Sequence, residues 1–220
     1  MEEIHAKYNT EYTRLLIEHS HVFYDLQQAW GPSWDGGCGG YLFDGKTYTY
    51  DHTSYEKQEL LFRRAKEASH VLEVGSYVGH SLFIMLLANK NLKITCIDIA
   101  DAYTGPAVKY LNKHFGDRIR FIHAHSEVGL EQLVNEGAKF DLFHLDGDHS
   151  EDLVIREYAL CSKMNFHHSR MKILFDDEIS IRGFVTYLLY YRKNVVMEMP
   201  NSEWSNVYVE FDEGEVKRTT

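Results

Sequence analysis

From residue 70 onward, short apolar runs alternate with segments long enough to form helices. The runs span residues 70–74, 93–99, 119–123, 140–145 and 171–175. Strands that alternate with helices of about 10–15 residues are typical of parallel βαβ units. Because the runs are short and mostly apolar, as strands buried on both faces are, we expect them to pair in one sheet with helices on both sides.

Two further β-type runs, 194–199 and 204–211, close this pattern. They are separated by only four residues, 200–203, which is too short for a crossover, so we expect an antiparallel pair. The predicted fold is α/β: a Rossmann-like, doubly wound sheet of seven strands, mostly parallel, with an antiparallel C-terminal hairpin. We assign residues 55–220 to this domain and residues 1–54 to an N-terminal cap or lid.

Composition excludes several classes of protein. The 23 Lys and Arg residues against 33 Asp and Glu give a net charge of −10, which weighs against nucleic acid as a partner. The three cysteines are far apart and form no CxxC pair, so free thiols in a cytoplasmic protein are expected. No apolar run approaches the ~20 residues that cross a bilayer, and the first ten residues do not form a signal peptide, so we expect a soluble protein without a membrane partner.

A glycine-rich loop follows the first predicted strand, in the sequence Glu73-Val-Gly75-Ser-Tyr77-Val-Gly79. In open α/β sheets, ligands bind beyond the carboxyl ends of the strands. The GxxxG spacing differs from the GxGxxG of dinucleotide-binding loops. A glutamate here would repel a phosphate but suits a cationic ligand such as S-adenosylmethionine (SAM), which carries a sulfonium and an ammonium. An ordinary strand–helix turn remains an alternative.

Polar residues also follow the second and third predicted strands. Asp98 ends the second strand, where an acidic side chain can accept both hydroxyls of an adenosine ribose. Ser126 follows the third strand and could contact an adenine, cap the next helix, or do both. A solvated carboxylate is the alternative for Asp98.

Carboxylates cluster after the fourth and fifth predicted strands. Asp146 and His149 follow one strand, and Asp176 and Asp177 follow the other. If the two strands are neighbours, these carboxylates meet and repel each other unless a divalent cation such as Mg²⁺ or Mn²⁺ binds between them. The titration range of a histidine suits a general base near pH 7. Solvated aspartates and a surface histidine are the alternatives.

The sequences VLEVGSYVGHS, CIDIA, HLDGDHS and ILFDDE, in this order, resemble the class I SAM-dependent methyltransferases. Within that class the chain is similar to the metal-dependent O-methyltransferases, which include catechol O-methyltransferase and macrolide-sugar O-methyltransferases. The resemblance covers about residues 55–212. It implies that SAM and a divalent metal, Mg²⁺ or Mn²⁺, are the cofactors.

The resemblance also implies residue roles. The metal ligands would be Asp146, Asp176 and Asp177, and the catalytic base would be His149. The residues that match the SAM-binding positions are Glu73, Gly75, Ser76, Tyr77, Gly79, Ser81, Asp98, Ile99, Ser126 and Asp146.

A histidine at position 149, where the catechol branch has a lysine, favours a sugar, glycan or similar small polyol as the methyl acceptor. A catechol or phenol acceptor is the first alternative, and a non-catalytic SAM- or metal-binding module is the second. An RNA methyltransferase is disfavoured by the net charge and by the lack of an Asn/Asp-Pro-Pro-aromatic motif. The partner is therefore expected to be a small-molecule or glycan acceptor, and a homodimer is left open.

Aromatic residues surround the glycines of the N-terminal segment. They could form a mobile lid over the acceptor, or a hairpin that packs into the core. The aromatic residues concerned are Trp30, Trp34, Tyr41, Phe43, Tyr48 and Tyr50.

Overall fold

The computed structural model describes most of the chain. The described residues are 2–29, 41–42, 50, 53–167, 170–200 and 205–216. Several aromatic residues of the predicted N-terminal lid or hairpin therefore lie outside them. These are Trp30, Trp34, Phe43 and Tyr48.

Seven strands form one sheet in the order β3-β2-β1-β4-β5-β7-β6. The strands are β1 His70–Val74, β2 Lys93–Asp98, β3 Ile119–His123, β4 Leu142–Leu145, β5 Arg170–Phe175, β6 Arg192–Glu198 and β7 Val207–Val216. Strands β1 to β5 pair in parallel, and β7 pairs antiparallel with both β5 and β6. The predicted fold is confirmed, although residues 199–206 make the connection before β7 longer than the four residues expected.

Nine helices are present among the described residues. They are α1 Glu2–Tyr8, α2 Glu11–Glu18, α3 Ser20–Ala29, α4 Tyr55–Lys66, α5 His80–Ala88, α6 Asp101–Phe115, α7 Ser126–Asn135, α8 Glu151–Lys163 and α9 Arg182–Tyr191. Helix α6 contains a proline, Pro106, within its length. A proline inside a helix removes one backbone hydrogen bond and disfavours the helical turn before it. Thr104 and Ala107, on either side of Pro106, are fully buried, so tertiary packing stabilises the helix at this point.

Helices cover both faces of the sheet. Because side chains alternate along a strand, Val71 of β1 joins one buried cluster with α4, α5 and α6, whereas Leu72 joins the other with α7, α8 and α9. Every residue of α5 is buried, which explains why its sequence is apolar all round rather than striped. No helix within the described residues is long and apolar enough to span a bilayer.

The N-terminal helices were not foreseen from the sequence. Tyr12 and Leu16 of α2 and Phe23 of α3 are buried in the same cluster as Phe83 of α5. Helix α2 begins with a capping box, in which the Thr10 side chain accepts from the Thr13 backbone and the Thr13 side chain accepts from the Thr10 backbone. These helices thus share the core of the sheet, and the division at residue 54 stays a prediction.

Candidate active site

The loop after β1, residues 75–79, is shaped by two glycines with left-handed backbone, Gly75 at φ +82° and Gly79 at φ +80°. A Cβ atom on Gly75 would lie 2.0 Å from the carbonyl oxygen of Asp146. Only glycine permits this contact between the loop and the end of β4. The predicted cofactor loop therefore lies directly against the first residue of the predicted metal site.

Asp98 holds this loop from the end of β2. Its carboxylate accepts hydrogen bonds from the backbone nitrogens of Ser76 (2.7 Å), Tyr77 (2.6 Å) and Ala100 (2.7 Å). The next residue, Ile99, is 67% exposed, as an apolar side chain that contacts a ligand would be. The structure thus gives Asp98 an organising role that the sequence did not predict, while its ribose contact stays a prediction.

Glu73 is fully buried within β1. The Ser76 hydroxyl donates to one carboxylate oxygen, and the other lies 2.9 Å from Nδ1 of His144. Both oxygens are thus engaged inside the protein, and the predicted contact of Glu73 with SAM stays a prediction. Ser81 is buried in the first turn of α5, and Ser126 begins α7.

The acidic residues converge at the carboxyl edge of the sheet, as the pairing of β4 with β5 requires. Three side chains at this edge form a group that could hold a metal ion. Each offers one ligand atom, and these atoms all lie within 4.8 Å of one another; the residues are Asp146, His149 and Asp176. Asp177, the third predicted ligand, stands outside this group; its carboxylate lies 3.5 Å from Nε2 of His149. His149 is therefore a candidate ligand as well as the predicted base.

A lysine that the sequence analysis missed enters the same site. Nζ of Lys57, in α4, lies 2.6 Å and 2.8 Å from the two carboxylate oxygens of Asp176. It also lies 4.5 Å from the centre of the Tyr41 ring. In a helix rich in charged residues, no local signal distinguishes Lys57 from its exposed neighbours.

Burial and charge set the ionisation of this cluster. Burial, with the charge of Asp176, raises the pKa of Asp146 well above its usual range. Burial disfavours the ionised form of Asp176, but the Lys57 ammonium and the hydrogen bonds from Asp146 and Lys57 together outweigh it and lower the pKa of that carboxyl. Burial raises the pKa of Asp177.

The residues present fit a divalent cation. The three aspartates and one ammonium leave a formal charge of −2, which a divalent cation would balance. Carboxylate and imidazole groups are suitable ligands for Mn²⁺, and carboxylates for Mg²⁺. Burial is the main cause of the raised pKa of Asp146, and repulsion by Asp176 adds to it; a bound cation would relieve that repulsion, which would favour binding.

A buried chain of polar groups connects the two halves of the site. The Tyr41 hydroxyl lies 3.0 Å from Nε2 of His144 and 3.2 Å from a carboxylate oxygen of Asp176, while Nδ1 of His144 faces Glu73. We call Glu73, His144, Tyr41 and Asp176 the buried relay. The one sequence signal for it was a histidine inside the otherwise apolar strand β4.

Comparisons with known proteins agree with this geometry. The sequence model of a family described as "Methyltransferase domain" matches residues 72–177. An Arabidopsis thaliana protein assigned by its name to the caffeoyl-CoA O-methyltransferases is 31% identical over 109 residues, covering 49% of this chain and 42% of that protein. The tapetum-specific methyltransferase 1 of the same plant is 32% identical over 96 residues, covering 42% and 41%. The chain thus spans about two fifths of the length of these relatives.

Solved structures share the fold. An O-methyltransferase from Bacillus cereus, in complex with SAH, has a TM-score of 0.63 at 14% identity, over 88% of this chain and 91% of that one. TomG from Streptomyces achromogenes, in complex with SAM, has a TM-score of 0.63 at 14% identity, over 88% and 90%. At such low identity these similarities establish the fold alone.

The sheet order is that of the Rossmann-like methyltransferase fold, and residues 72–177 match a methyltransferase domain. The relatives and the solved structures that this chain resembles are themselves described as methyltransferases.

Proposed function

We propose that the chain transfers the methyl group of SAM to a hydroxyl of a small phenolic acceptor that carries two adjacent oxygens. The observation that carries this proposal is the convergence of Asp146, His149 and Asp176 beside the glycine loop. A caffeoyl-CoA O-methyltransferase among the relatives supports the phenolic acceptor, which was the alternative in the sequence analysis. The sugar acceptor favoured there has no such support, because it depended on His149 alone.

SAM would bind across the carboxyl ends of β1, β2 and β3. In this arrangement Asp98 accepts the ribose hydroxyls, while Ile99 and Ser126 border the adenine. The amino-acid end would lie at the loop after β1, where the proposed contacts are Ser76, Tyr77, Gly79 and Ser81. The negative charge of Glu73 beneath this loop favours a cationic ligand even without direct contact.

The cation site would be formed by Asp146 and Asp176, with Asp177 or His149 as a further ligand. A divalent cation bound there would lower the pKa of a chelating acceptor hydroxyl. Lys57 holds the Asp176 carboxylate in place and supplies a fixed positive charge beside it.

His149 is proposed to take the proton from the acceptor hydroxyl. The acceptor oxygen then forms a bond to the methyl carbon as the carbon–sulfur bond of SAM breaks, and SAH leaves. The protein accelerates this step mainly by holding the two reactants about 3 Å apart and in line. His149 is suited to this role because it is half-buried just before α8 and lies next to Asp146 and Asp176.

Calorimetric titration with SAH, followed by methyl-transfer assays on catechols, caffeate esters and glycosides with and without Mg²⁺ or Mn²⁺, tests the proposal. We expect saturable SAH binding and metal-dependent methylation of the catechol-type acceptors. Failure to bind SAH would refute the cofactor site. Methylation of glycosides but not catechols would refute the phenolic acceptor.

The variant His149→Ala, in the same assays, separates its two roles. If His149 is the base, its loss is expected to lower kcat by about 10²–10⁴-fold while the affinity for Mn²⁺ stays unchanged. A metal ligand would instead weaken Mn²⁺ binding. His21→Ala, an exposed histidine of α3, serves as the matched control.

A further inference from the structure

The buried relay joins the cofactor half of the site to the cation half without a gap. It begins at Glu73, whose other oxygen accepts from Ser76 in the cofactor loop, and it ends at Asp176 in the acidic cluster. Tyr41, His144, Glu73 and Asp176 are all buried, at 6% exposure or less. In such an environment a hydrogen bond that is gained or lost has a larger effect than at the surface.

The relay has two hydrogen-bonding arrangements. Tyr41 has one hydroxyl hydrogen but two acceptors within reach, Asp176 at 3.2 Å and Nε2 of His144 at 3.0 Å. When the hydrogen points to His144, Nδ1 carries the imidazole proton and donates to Glu73. When it points to Asp176, the neutral imidazole holds its proton on Nε2, and the bare Nδ1 faces the Glu73 carboxylate oxygen 2.9 Å away, so that the hydrogen bond to Glu73 is lost. Both arrangements contain the same number of protons.

We propose that Tyr41 and His144 couple the two halves of the site, so that a cation at Asp146 and Asp176 strengthens cofactor binding at the loop after β1. A cation that engages Asp176 makes this carboxylate a poorer acceptor, which turns the Tyr41 hydrogen toward His144. His144 then donates to Glu73, and Glu73, held by His144 and Ser76, keeps the cofactor loop in its binding shape. By linkage, the cofactor strengthens cation binding by the same factor.

The inference rests on the proposed cofactor and cation sites, and it assigns Tyr41 and His144 as positioning residues. It also gives the N-terminal segment a function, because Tyr41 comes from that segment. The backbone carbonyl of Tyr41 accepts from the buried Gln58 side chain, and its ring packs on Lys57, so α4 holds the residue in the site from two directions.

Calorimetric titration of SAH with and without saturating MnCl₂ tests the coupling in the 220-residue chain. We expect Mn²⁺ to tighten SAH binding by at least about fivefold in the wild type. In Tyr41→Phe, which removes only the hydroxyl and keeps the ring over Lys57, this ratio is expected to fall to about 1. His144→Phe, which breaks the relay at its next member, is expected to do the same.

Tyr158→Phe is the matched control, because Tyr158 is a buried tyrosine whose hydroxyl bonds Arg192 in the opposite core cluster. This control is expected to keep the wild-type ratio. A wild-type ratio of 1, with both SAH and Mn²⁺ binding, would overturn the coupling and leave the proposed function intact. Persistence of the ratio in a folded Tyr41→Phe protein would also overturn it. A wild type that fails to bind SAH would refute the proposed function and the coupling together.

Discussion

A single glycine, Gly75, determines how closely the loop after β1 approaches the acidic cluster. Gly75 combines a φ of +82° with a position where a Cβ would meet the Asp146 carbonyl. Gly116, between α6 and β3, has the same φ of +82°, but apart from its two chain neighbours no described residue has an atom within 4 Å of its Cβ position. An alanine substitution at each position therefore distinguishes the free-energy cost of backbone strain alone from the cost of strain combined with a close contact.

Gly75→Ala is expected to destabilise the protein by about 2–3 kcal/mol, because strain and a clash with backbone atoms add. Gly116→Ala is expected to cost about 1 kcal/mol, from the left-handed conformation alone. Urea unfolding of the two variants and the wild type measures the difference. Equal costs would contradict the close contact between the loop and the end of β4.

At the scale of elements, α7 and α8 pack together with an acidic side chain between them. Glu157 of α8 has no exposed surface, and neither carboxylate oxygen has a well-formed hydrogen bond among the described residues. Burial raises its pKa from 4.5 to about 7, and the nearby Ser126 hydroxyl offsets part of the rise. Ser126 begins α7, so Glu157 lies beneath the proposed adenine side of the site.

The raised pKa predicts that stability falls as pH rises. Between about pH 4.5 and 7 the folded protein holds the Glu157 proton more tightly than the unfolded chain does. Stability from this group is therefore complete below about 4.5, decreases through this window and levels off above about 7.

Glu157→Gln removes this dependence. Relative to the wild type, the free energy of unfolding of this variant is expected to rise by roughly 2–3 kcal/mol as the pH is raised from 5 to 8. Urea unfolding at the two pH values measures this change. Glu131→Gln, an exposed glutamate of α7, is the control and is expected to follow the wild type. A Glu157→Gln protein with wild-type pH dependence would show that Glu157 stays ionised in the fold.

At the scale of the whole molecule, the N-terminal helices and the sheet share one core. Phe23 of α3 is fully buried in the cluster that contains α5, whereas its neighbour Tyr24 is 51% exposed. A shared core predicts that the N-terminal helices and the sheet unfold together.

Phe23→Ala is therefore expected to lower the free energy of unfolding of the entire protein by about 3–5 kcal/mol in a single transition. Tyr24→Ala is expected to have little effect. Thermal unfolding followed by circular dichroism and by tyrosine fluorescence measures both variants. Two separate transitions, with only the first shifted, would instead support an independent N-terminal unit ending near residue 54.

The fold was predictable because its signals are local. Each of the five parallel strands is a short apolar run followed by a helix-length segment, and the short spacing of the last two runs required antiparallel pairing. The N-terminal helices escaped prediction because they are short, at 7, 8 and 10 residues, and because α2 and α3 pack on α5 and α6, which are remote from them in the chain.

The candidate site was predictable where its residues end strands. Asp98, Asp146 and Asp176 lie at the carboxyl ends of the parallel strands β2, β4 and β5, and that position follows from the strand pattern. Lys57 and Tyr41 come from elements outside this pattern. Because both residues are far from Asp176 along the chain, the sequence around them gives no signal of their contact with it.

The sequence by itself thus determined the sheet, the glycine loop and the residues at the strand ends, because backbone periodicity and strand ends are properties of short segments. Only the tertiary structure decided which groups neutralise and connect them: the Lys57 ammonium on Asp176, the His144 imidazole on Glu73 and the Tyr41 hydroxyl between them. Electrostatic and hydrogen-bond partners depend on distances of about 3 Å between segments that are remote in the chain. Such distances exist only after the helices have packed on the sheet.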